Sequence, residues 1–314
     1  MNQPLVSVII PTFKRNDYIC RAIDSVLEQT YENFEIIVVD DNLPKSEERI
    51  KTKLILEKYN SLDNFIYLEL DDNYGGAIAR NKGLEYASGK YVCFLDDDDE
   101  YLKDKLRNQV DIFEKSSIEL AVVGGFANIL DEKGNVINRE VTKVKGDVYF
   151  RQLMKNTCTT SIAMIRKSVV IEAGGFEKIP SSQEHLFFIK VFSKNPYYDY
   201  VSKTVVNIYH HSGMRISTNS NKAKGAMELY EKVLIISENM SNNEKKSINH
   251  YHLLNITLAY SSINDSENSR KYLIKVFKND KKIHFDSLKM ALVVILGLEN
   301  IKRLQIFYNK IVRK

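Results

Sequence analysis

Residues 91–106 read Tyr-Val-Cys-Phe-Leu-Asp-Asp-Asp-Asp-Glu-Tyr-Leu-Lys-Asp-Lys-Leu, an apolar run that passes without a spacer into four aspartates. Like charges packed this closely repel one another and resist desolvation, so the run needs either open water or a cation. One reading places the start of a helix here, with Asp99 capping an element that begins near Glu100 and the first-turn acids favoured by the helix dipole. That accounts for one or two of the aspartates, not for Asp96 and Asp97 directly after Phe94-Leu95. The other reading is a strand end carrying Asp-x-Asp, suited to a hard divalent cation, Mg²⁺ or Mn²⁺, held by carboxylates together with substrate phosphates.

Working outward, Tyr91 to Leu95 is the fourth of a series of short β-branched or aromatic runs, after Leu5 to Ile10, Phe34 to Asp40 and Phe65 to Leu70. Such runs suit strands buried on both faces. Helical patterns alternate with them at Asp17 to Gln29, Ser46 to Tyr59 and Gly76 to Ala87. The alternation predicts βαβ units, a mostly parallel sheet and right-handed crossovers. Ligands of such sheets bind beyond the carboxyl ends of the strands. All four expected strands end in chemically unusual segments: Pro11-Thr-Phe-Lys-Arg15, Asp40-Asp-Asn42, Asp71-Asp-Asn-Tyr-Gly-Gly76 and Asp96 to Asp99. From Leu120 to His211 the pattern is mixed, with strands expected at 120–130, 160–165 and 199–209 and a helix at Glu184 to Phe192. Beyond Asn221 the period is helical throughout. The expected division is a domain over 1–220, with halves 1–115 and 116–220, and a helical extension over 221–314.

Composition bounds the rest. With 314 residues, 44% of them hydrophobic, the chain can bury a substantial core. Three cysteines, Cys20, Cys93 and Cys158, share no metal-ligand spacing and fit reduced, structural thiols. The N-terminus lacks the basic segment and apolar length of a signal peptide, so a cytoplasmic location is expected. Residues 269–314 carry 12 Lys/Arg against three acids, within a chain whose net charge is only +4, so the remainder is acidic. A basic tail on an acidic body points to an anionic partner at that end, membrane surface or nucleic acid. Met290 to Leu298 is too short an apolar run to span a bilayer. It suits a buried helix, or an oligomer or membrane-surface contact between the basic flanks Lys281, Lys282, Lys302, Arg303, Arg313 and Lys314.

The loop Asn73 to Gly83 places Gly75 and Gly76 at a helix entry, where backbone can approach an anion and Arg80 lies one turn on. It matches neither the dinucleotide fingerprint nor the phosphate-binding loop. In combination, Val6-Ser-Val-Ile-Ile-Pro-Thr-Phe-Lys-Arg15, Ile23 to Thr30, Phe34 to Asp41, Ala79-Arg-Asn81 and Tyr91 to Asp99 occur in an order and spacing that resembles glycosyltransferase family 2. The resemblance covers residues 4 to 215. It implies a GT-A fold, α/β with a helical C-terminal extension, and an inverting, metal-dependent enzyme. The donor would be a nucleotide sugar, expected to be a UDP-sugar, and the acceptor a hydroxyl of a glycan or lipid-linked oligosaccharide in surface polysaccharide synthesis. Nucleic acid is then not an expected partner, whereas contact with the inner membrane face and self-association are.

Carried over by position, the family pattern implies that Pro11, Thr12, Phe13 and Arg15 line the nucleoside pocket, with Asp41 and Asp40 accepting hydrogen bonds from base or ribose. Gly76 and Arg80 would approach the nucleotide end of the donor. Asp96 and Asp97 would face ribose or sugar hydroxyls, and Asp98, with Asp96, would bind Mn²⁺ or Mg²⁺. A four-aspartate run also permits a one-residue shift of these roles. The base that deprotonates the acceptor would be Glu184, after Gly174-Gly-Phe176, where the family usually has Asp. His210 and Arg215 would lie near the diphosphate, and the hydroxyl-rich Asn156 to Ser161 could bind acceptor. Two other readings remain open at this stage: a nucleotidyltransferase acting on sugar phosphates, and a catalytically inactive glycan-binding module.

Overall fold

The computed structural model describes residues 3–210, 220–280 and 284–297. In chain order the first half contains β1 (Val6–Thr12), α1 (Ile19–Leu27), β2 (Phe34–Asp40), α2 (Glu47–Leu56), β3 (Phe65–Glu69), α3 (Gly76–Tyr86), β4 (Tyr91–Phe94), β5 (Glu100–Tyr101), α4 (Lys105–Lys115) and β6 (Val122–Leu130). There follow β7 (Val136–Val141), β8 (Gly146–Asp147), α5 (Tyr149–Met154), β9 (Met164–Arg166), α6 (Lys167–Glu172), α7 (Gln183–Lys194) and β10 (Tyr197–Tyr209). The chain then continues through α8 (Ser220–Ile236), α9 (Asn242–Ser262), α10 (Ser266–Asn279) and α11 (Phe285–Leu296).

The strands form one sheet in the order β3-β2-β1-β4-β9-β6-β10-β5, with β7 on β6 and β8 on β10. β3, β2, β1 and β4 are parallel. β9 then runs antiparallel to both β4 and β6. β1 lies inside the parallel half and buries Val6 through Ile10 completely, its apolar run interrupted only by Ser7, whose hydroxyl donates to Glu35 Oε1 at 2.6 Å. One core layer lies against α1 and α4, the other against α3, α6 and α7. α3 sits unusually close to the sheet: a Cβ on Gly83 would lie 2.4 Å from Ile9 Cγ2.

The chain folds into two compact units. The first comprises Met1–Gln152, Asn156–Lys178 and Gln183–Gly213; the second comprises Leu153–Lys155, Ile179–Ser182 and Met214–Lys314. The second has its own core, built from Leu253, Leu254, Ile256, Tyr272 and Val276. There α9 begins in a capping box between Ser241 and Glu244. Buried His252 donates from Nε2 to the Leu153 carbonyl at 2.7 Å.

The structure departs from the sequence-based expectations at two informative places. No helix begins near Glu100: residues 100–101 are a short strand against β10, and the next helix starts at Lys105. The capping explanation of the aspartates therefore fails. The strand expected over 160–165 starts only at Met164, because the backbone N–H of Thr160 turns toward the carboxylate of Glu184.

Candidate active site

The carboxyl ends of β1, β2 and β4 converge, and the four aspartates leave β4 there with alternating environments. Asp97 and Asp99 are buried, whereas Asp96 and Asp98 are half-buried. Asp97 Oδ2 accepts the Thr12 hydroxyl at 2.7 Å, and Arg15 Nη1 lies 3.6 Å from its other oxygen. Burial nevertheless pushes its pKa up to about 6, against the pull of Arg15 and Thr12. Asp98 pairs with Arg15, and its carbonyl accepts from Arg21, whose guanidinium lies 3.7 Å from the Tyr209 ring centroid. Asp96 pairs with Arg80. Asp99 accepts the Ser161 hydroxyl at 2.8 Å and the Tyr209 N–H at 3.3 Å. Burial, then the charge of Asp96, raises its pKa to about 8.

Among the described residues, Asp96, Asp98 and Asp99 form one group whose nearest carboxylate oxygens all lie within 4.8 Å of one another. Three hard oxygen donors, mutually repelling and held at a strand end, fit Mg²⁺ or Mn²⁺. The sequence reading included Asp96 and Asp98 in this role; Asp99 is the addition. Arg15, paired with Asp98, and Arg80, paired with Asp96, offset part of the charge of this cluster.

β2 delivers Asp40 and Asp41. Asp40 is fully buried; its carboxylate accepts from Tyr67 Oη at 2.6 Å and Asn42 N at 2.9 Å, and forms an ion pair with Arg49, whose Nε lies 3.1 Å away. Asp41 accepts from the N–H groups of Tyr74 and Gly75, both at 2.8 Å, and from Asn73 Nδ2 at 3.0 Å. Burial raises both pKa values, and for both the hydrogen bonds oppose it. Both carboxylates are therefore engaged by protein donors, and that of Asp41 shapes the loop into α3. At the loop's end Gly75 has φ +87°, a conformation that favours glycine. A Cβ on Gly76 would lie 3.0 Å from Arg80 Nη1, so the missing side chain makes room for the guanidinium over the helix start.

One residue on from Arg80, Asn81 clamps a distant segment: Oδ1 accepts the Phe176 N–H at 2.8 Å and Nδ2 donates to the Phe176 carbonyl at 2.9 Å. Gly175, at φ +65°, leaves no space for a Cβ against Asn81. The Phe176 ring stacks on Phe187 of α7, with centroids 3.8 Å apart, and meets Phe94 edge-on at 5.1 Å. This stack locks the first turn of α7, where Glu184 sits half-buried. Glu184 Oε1 accepts both the N–H of Thr160, at 3.0 Å, and its hydroxyl. Burial raises the Glu184 pKa, and the negative charge of Asp96 adds to the effect. A carboxylate with raised affinity for protons, held beside a cation-suited cluster, has the properties of a general base.

Of the remaining residues singled out from sequence, Pro11 and Phe13 are half-buried on the same β1 end, with Lys14 Nζ 5.2 Å from the Phe13 ring centroid. His210 is exposed, its N–H bonded to the Leu130 carbonyl at 2.8 Å. Its neighbour Tyr209 is the residue that reaches Asp99. Arg215 lies outside the described residues. Arg21, Tyr209 and the specific parts of Thr160 and Ser161 were not read from sequence; only the hydroxyl-rich composition of 156–161 hinted at the last two.

Comparison with known proteins accords with this geometry. The model of Glycosyl transferase family 2 matches residues 7–174. A glycosyltransferase of Haemophilus influenzae is 32% identical over 231 residues, covering 72% of this chain and 86% of its own. TuaG of Bacillus subtilis, assigned to teichuronic acid biosynthesis, is 42% identical over 123 residues, 39% of this chain. The chain spans about half of TuaG, 47% of its length. AmsB, an amylovoran biosynthesis glycosyltransferase of Erwinia amylovora, is 38% identical over 109 residues, 35% of this chain and 36% of AmsB. Among solved structures, S. aureus TarS in complex with UDP-GlcNAc superposes with a TM-score of 0.69 at 19% identity, over 87% of this chain and 81% of that one. The mannosyltransferase PcManGT of Pyrobaculum calidifontis, in complex with GDP-Man and Mn²⁺, gives 0.59 at 17% identity, over 94% and 81%. The architecture is thus the GT-A fold, and since the family match takes in more than half of the chain, from β1 to the Gly-Gly-Phe element that anchors Glu184, the protein belongs to glycosyl transferase family 2.

Proposed function

We propose that the chain transfers one sugar from a UDP-sugar to a hydroxyl of a glycan or lipid-linked acceptor in surface polysaccharide synthesis, with inversion at the anomeric carbon. The observation that carries this reading is the convergence of the Asp96, Asp98 and Asp99 carboxylates within 4.8 Å at the end of β4, with Glu184 joined to them through adjacent residues of one turn. The names of TuaG and AmsB support the polysaccharide setting, and the ligands of TarS and PcManGT support a nucleotide-sugar donor.

Pro11, Thr12, Phe13 and Arg15 border the nucleoside pocket, with Phe13 presenting its ring to the base. Asp41 completes the rim through the 73–75 loop, and Asp40 supports it from beneath. Gly76 and Arg80 receive the diphosphate side of the donor, Asp97 orients Thr12 and Arg15, and His210 serves the leaving-group side. Asp96, Asp98 and Asp99 would hold Mn²⁺ or Mg²⁺, which supplies positive charge to the departing nucleoside diphosphate. Glu184 takes the proton of the acceptor hydroxyl through the oxygen left open by Thr160. The hydroxyl oxygen bonds to the anomeric carbon as the bond to the nucleotide phosphate breaks, in a single displacement.

The test combines a panel of nucleotide sugars with calorimetry. UDP is expected to bind in the presence of Mn²⁺ and to lose that binding in Asp98→Asn. Glu184→Gln should keep UDP binding while transfer falls by about 10²–10⁴-fold, the usual contribution of a positioned base. The reading is overturned if UDP shows no cation-dependent binding, or if pyrophosphate rather than UDP is released. The membrane part of the proposal, a peripheral contact through the basic C-terminal helices, is tested separately.

A further inference from the structure

The turn that precedes β9 reaches two parts of the site with consecutive residues. Thr160, fully buried, directs both its backbone N–H and its hydroxyl to Glu184 Oε1. Ser161, also buried, donates its hydroxyl to Asp99 Oδ2 at 2.8 Å, and that same Oγ lies 3.4 Å from the Asp96 N–H. The next carbonyl, that of Ile162, is held from beneath by Lys105 Nζ at 2.9 Å and Gln109 Nε2 at 2.8 Å, two buried side chains of α4. Gln109 is itself bonded to the Val123 carbonyl of β6 at 2.9 Å, so the turn is fastened to the sheet.

The chemistry of these bonds is directional. Two donors on one carboxylate oxygen fix the plane of the group and leave the second oxygen to face a substrate. A hydroxyl on Asp99 likewise fixes one edge of the cation cluster, in the way outer partners orient metal ligands. A buried threonine and serine needing only satisfaction could have bonded to main-chain carbonyls; both instead bond to carboxylates of the site.

We propose that Thr160 and Ser161 are a pair of positioning residues: Thr160 aims the proton-accepting carboxylate of Glu184, Ser161 aims Asp99, and the peptide unit joining them sets the distance between proton acceptor and cation cluster. The assignment rests on the reading of Glu184 as base. It gives two neighbours in sequence opposite kinetic signatures.

In the full chain, Thr160→Val is expected to lower kcat by about 10–100-fold, the range for loss of an orienting partner, while UDP binding with Mn²⁺ stays within about twofold of wild type. Thr160→Ser, which keeps the hydroxyl, should recover at least about a third of kcat. Ser161→Ala should instead weaken Mn²⁺-dependent UDP binding by about 10-fold, read by calorimetry, with a smaller effect on kcat. Normal UDP binding certifies that a Thr160 variant is folded, and an unchanged thermal melt certifies Ser161→Ala; if Thr160→Val fails its criterion, Thr160→Ala replaces it. Equal losses of kcat and UDP affinity in both variants, or a Thr160→Val enzyme within twofold of wild-type kcat, overturn the proposal. Glu184→Gln separates the two levels: an active Glu184→Gln removes the base itself, whereas an inactive one beside an unimpaired Thr160→Val removes only the positioning role.

Discussion

Lys105 shows most sharply what a residue's surroundings do to its chemistry. Its ammonium is buried, donates to Gln109 Oε1 at 2.6 Å and to the Ile162 carbonyl at 2.9 Å, and lies 4.6 Å from the Tyr101 ring centroid. Burial lowers its pKa from 10.5 to about 8. The folded chain therefore binds this proton less tightly than the unfolded chain does. Stability carries the full penalty below about pH 8 and regains it as pH rises toward 10.5. Lys105→Met abolishes this dependence, so urea unfolding should show wild-type stability rising relative to the variant by about 2 kcal/mol between pH 7.5 and 10. An unchanged difference across that interval would place the lysine proton in ordinary solvent. The same scale explains what was legible at the site. The aspartate run announces itself as charge in a forbidden place, and the glycines at 75–76 and 174–175 mark backbone that side chains would obstruct. The alternation that buries Asp97 and Asp99 while leaving Asp96 and Asp98 accessible depends on Thr12, Arg15, Ser161 and Tyr209, which come from elsewhere in the chain. No local pattern encodes it. Asp99, Arg21 and Tyr209 were missed for that reason.

At the scale of elements, β2 was legible to the residue, and β1, β3 and β4 within two: β1, β2 and β4 are buried strands and so mostly apolar, and β3, a half-buried edge strand, is marked by its β-branched and aromatic run. The short β5, β8 and β9 lack that signature, being set by partners rather than by period. α3 is the element whose placement matters most for chemistry, since it carries Arg80 and Asn81 into the site. Its approach to the sheet depends on Gly83, where a Cβ would meet Ile9 Cγ2 at 2.4 Å and Val39 Cγ2 at 3.0 Å. Both neighbours are β-branched residues of central strands and cannot turn away. Gly83→Ala should therefore lift α3 from β1 and cost about 1–3 kcal/mol despite the better helix propensity of alanine. Transfer should fall more than stability alone explains, because Arg80 and the Asn81 clamp on Phe176 move with the helix. Thermal melting together with transfer rates checks both parts; a stabilised and fully active variant would show that the helix adapts without displacement.

At the scale of the molecule, the division of charge is a property of the sequence that the folded elements make specific. α10 buries Ser269, Tyr272, Leu273 and Val276 and turns Arg270, Lys271, Lys275 and Lys278 toward an open surface groove. α11 leaves Phe285 70% exposed and Ile295 74% exposed, with Leu288 and Leu292 between them also exposed. No described helix is long and apolar enough to cross a membrane, so these features suit a surface contact rather than a span. The flanking Lys281, Lys282, Lys302, Arg303, Arg313 and Lys314 lie outside the described residues, yet their charge is fixed by sequence. Each basic side chain near an anionic leaflet adds about 1 kcal/mol, and the attraction decays within a Debye length. The full chain should sediment with phosphatidylglycerol vesicles at low salt, much less with phosphatidylcholine vesicles, and be released by 0.5 M salt. Phe285→Ser combined with Ile295→Ser should weaken binding at every salt concentration, whereas Arg270→Ser with Lys275→Ser should flatten its salt dependence. Those two signatures distinguish apolar insertion from electrostatic adsorption. Absence of sedimentation with anionic vesicles at low salt would leave the basic helices to some other partner and remove the membrane from the proposed acceptor.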